Sequence, residues 1–285
     1  MKYKKHDRVK HPTMESWGLG EVLEDSTERI LRVFFVGVGE KKLVLDIVEP
    51  IKVDKEKNKH PILDNLKLSD QTPAIKYKSL PSSIEYFLSK FPEGFNGEKY
   101  LEEERNYKVS AHTSAKELLG KDYFLSLVEK EDYEEITKRA LKIVNSTNLI
   151  FPNEKMALKD GLATLESKKQ FSSELYNLLY SETDFSERFQ SFCTFLDNIG
   201  ASKWTTATYF PYIFQPDKYM FVKPTITQHA ADLSRFEICY SPQVNWKTYK
   251  LILNFSEYLR TALVELEPRD MIDVQSFMWC VAPRR

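Results

Sequence analysis

Apolar positions in the first 53 residues come in short runs rich in Val, Ile and Phe, broken by Gly, Pro and Asp-Ser, with no helical period. The pattern predicts five short strands, over residues 8–10, 18–24, 29–35, 41–45 and 49–53, with turns at 25–28 and 37–39. Four of the nine glycines (Gly18, Gly20, Gly37 and Gly39) fall here, where tight turns and bends call for them. Val9, Val22, Leu23, Val33, Phe35, Leu43 and Leu45 can fill a small interior at period two. The stretch reads as a small antiparallel barrel.

From residue 83 the apolar period becomes helical. It predicts helices over 83–91, 94–119, 121–128, 130–144, 151–163, 167–180, 184–196, 245–266 and 268–281. Met271, Val274, Phe277, Met278 and Val281 recur at three and four residues, with Asp270, Asp273 and Gln275 off that stripe; Asn245 is placed to cap the penultimate helix. Residues 54–82 alternate charge and then turn to Ser, Pro and Asp, which predicts a charged linker. Within it, Ile62 and Leu63 with Leu66 and Leu68 form an apolar patch able to dock as a short turn. Residues 200–243 differ again. Trp204, Tyr209, Phe210, Tyr212, Phe214, Tyr219 and Phe221 crowd around Pro211, Pro216 and Pro224, and that proline density predicts short strands and turns rather than a helix. The fold expected is therefore α+β: a barrel over 1–53, a linker over 54–82, and a mainly α-helical domain over 83–285 with a short aromatic β-like insertion.

Charge narrows the function classes. Lys and Arg number 41 against 42 Asp and Glu, a formal net charge of −1, which excludes a binder that works by bulk positive charge. At 42% hydrophobic and 29% charged residues the chain can bury a core. Few glycines, and no Walker loop, dinucleotide fingerprint, G-x-S-x-G elbow or H-E-x-x-H, argue against the common nucleotide and hydrolase sites; no cofactor is expected. No apolar run approaches the length of a membrane span, and no apolar stretch follows the basic start, so a cytoplasmic protein without membrane contact is expected. Cys193, Cys239 and Cys280 lie among apolar neighbours and far apart, the pattern of buried reduced thiols rather than a zinc site.

One module has a familiar look. Asp7-Arg-Val-Lys-His-Pro, Trp17-Gly-Leu-Gly-Glu-Val-Leu and Arg32-Val-Phe-Phe-Val-Gly-Val-Gly-Glu-Lys-Lys-Leu resemble a bacterial family of SH3/Tudor-like small barrels of unknown function. The same stretch is similar to the Tudor-like modules of CarD transcription regulators and UvrD-type helicases. That resemblance implies a barrel that contacts nucleic acid or a nucleic-acid machine such as a polymerase, and it covers about 50 residues.

The candidate contacts on this module are Lys4, Lys5, Arg8, Lys10 and Lys42, a basic edge able to hold phosphates or an acidic protein surface. Trp17 either covers the end of the barrel or offers a stacking face. In the last third, Asp217, Lys223, Arg269, Asp270 and Asp273 suggest an alternative polar cleft. The metal-nuclease pattern fails there at one carboxylate, because Phe221 stands where acid-x-Lys needs its acid. Asp270 and Asp273 also suit the first turn of a helix, whose dipole favours acids. The aromatic segment 204–221 is either core or a surface for a protein partner or for stacked bases. The function expected is non-enzymatic binding of nucleic acid or of nucleic-acid machinery. A metal-dependent nucleic-acid hydrolase of a phage-defence system and a scaffold subunit are the alternatives.

Overall fold

The computed structural model describes residues 2–66 and 80–282. Leu68 and the turn-rich part of the linker over 69–79 lie outside the described residues. The N-terminal part is one five-stranded antiparallel sheet: β1 (Arg8–Lys10), β2 (Leu19–Val22), β3 (Ile30–Phe35), β4 (Gly39–Val44) and β5 (Ile51–Val53), in the order β4-β3-β2-β1-β5. A meander of four strands thus turns back so that the fifth pairs with the first. The outer strands β4 and β5 do not pair with each other, so the sheet is open.

Both faces of this sheet are buried. Leu31, Val33 and Phe35 alternate along β3 and join Val9, Val22, Leu43 and Tyr3 in a small core. Residues between them on the other face do something different. Arg8 stands opposite Glu21, and Glu21 opposite Phe34, so all three share that outer face. Phe34 and the neighbouring Leu23 belong to the main core of the helical part. Burying one such phenylalanine stabilises by roughly 1.5–3 kcal/mol, enough to tie sheet to helices.

The linker docks at the same junction. Helix α1 (Pro61–Asp64) buries Ile62 and Leu63, and its Asp64 pairs with Arg8. Asn65 then accepts from the Glu237 amide at 2.8 Å.

The helical part follows as α2 (Leu80–Lys90), α3 (Glu98–Tyr100), a π-helical turn (Leu101–Arg105), α4 (Asn106–Leu119), α5 (Lys121–Glu129), α6 (Tyr133–Asn145), α7 (Pro152–Gly161), α8 (Leu165–Tyr180) and α9 (Phe185–Asn198). Then come α10 (Trp204–Phe214), α11 (Pro224–Leu233), α12 (Trp246–Ala262) and α13 (Met271–Val281). Side-chain caps set several starts: Asp132 accepts from the Glu135 amide at 3.1 Å, Asp184 from Ser186 at 2.8 Å and Asn245 from Thr248 at 2.9 Å.

The aromatic segment corrects the expectation of strands and turns. Residues 204–214 form a helix with Pro211 inside it, and all eleven residues are buried. Pro211 removes one backbone bond at a cost of about 3 kcal/mol. Six of the eleven are Trp, Tyr, Phe or Ile, each contributing roughly 1.5–3 kcal/mol on burial, so burial wins. Pro224 begins α11, where a missing N–H costs nothing. Pro216, in the loop between, accepts from the Met271 amide at 2.9 Å.

The rings of this segment meet other helices rather than solvent. Tyr209 donates to the Ile143 carbonyl at 2.8 Å, and Trp204 Nε1 donates to that of Ser241 at 2.8 Å. Cys193 and Cys280 are buried as expected, but Cys239 is exposed, in irregular backbone with φ 45°. Among the described residues no helix is long and apolar enough to cross a membrane.

Candidate functional site

The structure divides the basic edge into separate places. Lys4, Lys5, Lys10 and Lys42 are exposed. Lys4 and Lys5 lie beside the far end of β2, where the His6 amide donates to Val22 and the Lys5 amide to Asp25. Lys10 stands at the other end of the same strands, opposite Leu19. Lys42 is on β4, opposite Arg32, whose guanidinium is already neutralised by Glu40 at 2.6 Å and Glu24 at 3.1 Å.

Arg8 leaves the basic edge altogether. Its side chain is fully buried between Glu21, at 3.1 Å, and Asp64. The two-residue period puts it on the sheet face that α1 covers, and a guanidinium there stays only because two carboxylates meet it. Trp17 packs on the small sheet core, 5.3 Å from the Phe35 ring and 4.6 Å from that of His11, and is partly buried. The lysine that reaches it is Lys41, with Nζ 5.8 Å from the indole centroid. Lys10, His11, Trp17 and Lys41 therefore share one end of the sheet.

The acidic pair of the alternative cleft is committed internally. Asp270 caps α13, accepting from the Ile272 amide at 2.9 Å, and takes a two-pronged contact from Arg105 at 2.8 and 2.7 Å. Asp273 is fully buried and accepts from Tyr100 at 2.6 Å, Arg105 at 2.8 Å and Arg269 at 2.9 Å. The same carboxylates hold the Arg105 guanidinium well above its ordinary pKa against the opposing effect of burial. Two arginines, a phenol and a helix N-terminus leave these acids no room for a metal. Among the described residues no group of three or more His, Cys, Asp or Glu could hold a metal ion. Asp217 stands apart, exposed on the loop after α10.

Lys223 is in a different place. It lines a cleft of about 140 Å³ between the π-helical turn, α4 and α13, together with Glu103, Glu104, Tyr107, Lys108, Asn148, Leu149, Gln275 and Trp279. Its ammonium lies 4.5 Å from the Phe151 ring centroid and 4.7 Å from that of Trp279. Partial burial there lowers its pKa, with Glu154 opposing.

Lys108 is 1% exposed. It donates to Gln275 Oε1 at 2.9 Å and Ser276 Oγ at 2.8 Å, with Glu104 at 3.6 Å. Burial pushes it down to about 8, although Glu104 favours its charged form; burial pushes Glu104 up. A π-helical turn sits unusually often beside functional groups, and here it sets Glu104 one turn before Lys108.

This cleft contains one residue of the expected set, Lys223, and several that sequence reasoning passed over. A signal existed. Glu104 and Lys108 lie on the buried stripe that continues through Ala111, Ala115 and Leu119, and two opposite charges on an apolar stripe need partners. Trp279 lies off the apolar stripe of α13, 41% exposed. Comparison with known proteins adds nothing to the geometry: no family model, curated protein or solved structure matches the chain.

Proposed function

We propose that this chain is a non-enzymatic recognition protein whose N-terminal sheet is an SH3/Tudor-like module that holds nucleic acid. The observation that carries this reading is the sheet end where the partly buried Trp17 indole lies beside Lys41, the same end at which the exposed Lys10 stands. Among the described residues neither lysine takes part in an ion pair, whereas Lys2 and Lys52 are paired with Glu49 and Asp7. An aromatic ring beside one unpaired ammonium group, with a second at the same sheet end, suits a nucleic-acid strand: the ring stacks on a base and the lysines neutralise phosphates. The return of β5 to β1 and the small core under Trp17 support the module's likeness to small barrels.

Anisotropy of labelled single-stranded DNA and RNA with the full chain, at low and at physiological salt, tests the reading. Binding that falls steeply with salt is expected, and Lys10→Glu with Lys41→Glu should weaken it roughly tenfold or more. Trp17→Ala should weaken it by a part that salt does not remove, about 1–3 kcal/mol per stacked base. Absence of binding at low salt, or a charge-reversal variant that binds as well as the parent, overturns the reading in favour of a protein partner.

A further inference from the structure

The cleft between α4 and α13 is independent of the sheet and plays no part in its proposed role. Its donors outnumber its acceptors. Because an ammonium can only donate, the Lys108 contact turns the Gln275 amide oxygen toward Lys108 and leaves the amide NH₂ as that residue's remaining donor. Among the described residues nothing accepts from this NH₂, from the Tyr107 hydroxyl or from the Trp279 indole N–H. Lys223 has ring faces on two sides but no carboxylate within ion-pair distance among the described residues. Of the two acids, Glu104 faces Lys108 at 3.6 Å, and Glu103 sits exposed at the rim. A half-buried cation and several donors are gathered around one opening, and among the described residues no acceptor is bonded to them.

We propose that this cleft binds the carboxylate or phosphate group of a small anionic ligand, with Lys223 as its principal cation and Trp279 as the ring along which the ligand's body lies. The volume, about 140 Å³, is below the roughly 300–1,000 Å³ that encloses a whole drug-sized molecule. It fits a small acid or the anionic end of a larger one. Lys108 supports the floor: Gln275 and Ser276 hold it in place, and its charge adds to that of Lys223. Glu104 on its own turn, with Cys280 and Asp273 on α13, are the titratable groups that favour its charged form.

Titration of the full chain with inorganic phosphate and with acetate, against chloride at matched ionic strength, tests the proposal by tryptophan fluorescence and thermal stability. A saturable response to one or both anions is expected, and which of them responds tells phosphate from carboxylate chemistry. Trp279→Phe should abolish the fluorescence change. Lys223→Met keeps an apolar stem between the two rings and should weaken binding roughly tenfold or more, while Lys223→Arg retains it. Asn148→Leu, at an exposed position, should weaken binding severalfold without unfolding the chain. Affinity should fall as pH rises past about 8, where Lys108 loses its proton. A response no greater than with chloride, or Lys223→Met and Asn148→Leu variants that bind like the parent, overturns the proposal.

Discussion

Arg105 shows how a single side chain can decide the state of two others. Its guanidinium spans Asp270 and Asp273, and Arg269 and Tyr100 complete the shell around Asp273. Removing one partner of a buried pair leaves the other charge uncompensated, which costs about 3–5 kcal/mol. Arg105→Ala should therefore lower stability by about 3 kcal/mol or more in urea unfolding, and Arg105→Lys should recover only part of it, because lysine cannot span two carboxylates with a planar fork. A loss below about 1 kcal/mol, the value of an exposed ion pair, would show that water reaches these groups. The adjacent residue, Glu104, faces the cleft instead. One turn of backbone thus serves a structural ion network on one side and a polar opening on the other.

At the scale of elements, capping was readable and proline was misleading. Asn245 stands just before an apolar stripe, the position of a cap, and its side chain accepts from the Thr248 amide. Asn245→Ala should cost about 1 kcal/mol, measured as a drop in thermal midpoint with unchanged helix content at low temperature. A neutral outcome would mean that the packing of α12, with Tyr249, Ile252, Phe255 and Leu259 buried, holds its first turn unaided. The strands too were legible, because period-two alternation along β3 separates Leu31, Val33 and Phe35 from Arg32 and Phe34. Helix α10 was not. Local rules count the lost bond at Pro211, and only the assembled core supplies the burial that outweighs it.

At the scale of the molecule, sheet and helices are joined through Phe34, Leu23 and the docked α1, with Arg8 enclosed between Glu21 and Asp64. Arg235 adds a tie from the helical side, 3.3 Å from Glu40 and with its guanidinium 5.7 Å from the Phe34 ring. These contacts predict one cooperative unit rather than two beads on a tether. Phe34→Ala should lower protection against hydrogen exchange in the sheet amides and in the α11–α12 region by the same free energy, about 3–5 kcal/mol for a buried ring. A change confined to the sheet would show that the two parts unfold separately.

What the sequence determined on its own was set by local forces: strand alternation, helical stripes, caps, and the absence of familiar nucleotide and hydrolase motifs. The tertiary structure decided whatever depended on a partner far along the chain. Arg8 looks like part of a basic edge until Asp64, 56 residues away, meets it inside the junction. Asp270 and Asp273 read as part of a polar cleft or as first-turn helix acids until Arg105, 165 and 168 residues away, claims them. Lys108 lies on an apolar helix stripe, and its partners Gln275 and Ser276 come from α13, 167 and 168 residues on. A charge's role is fixed by what neutralises it, and in this chain those neighbours are set by packing.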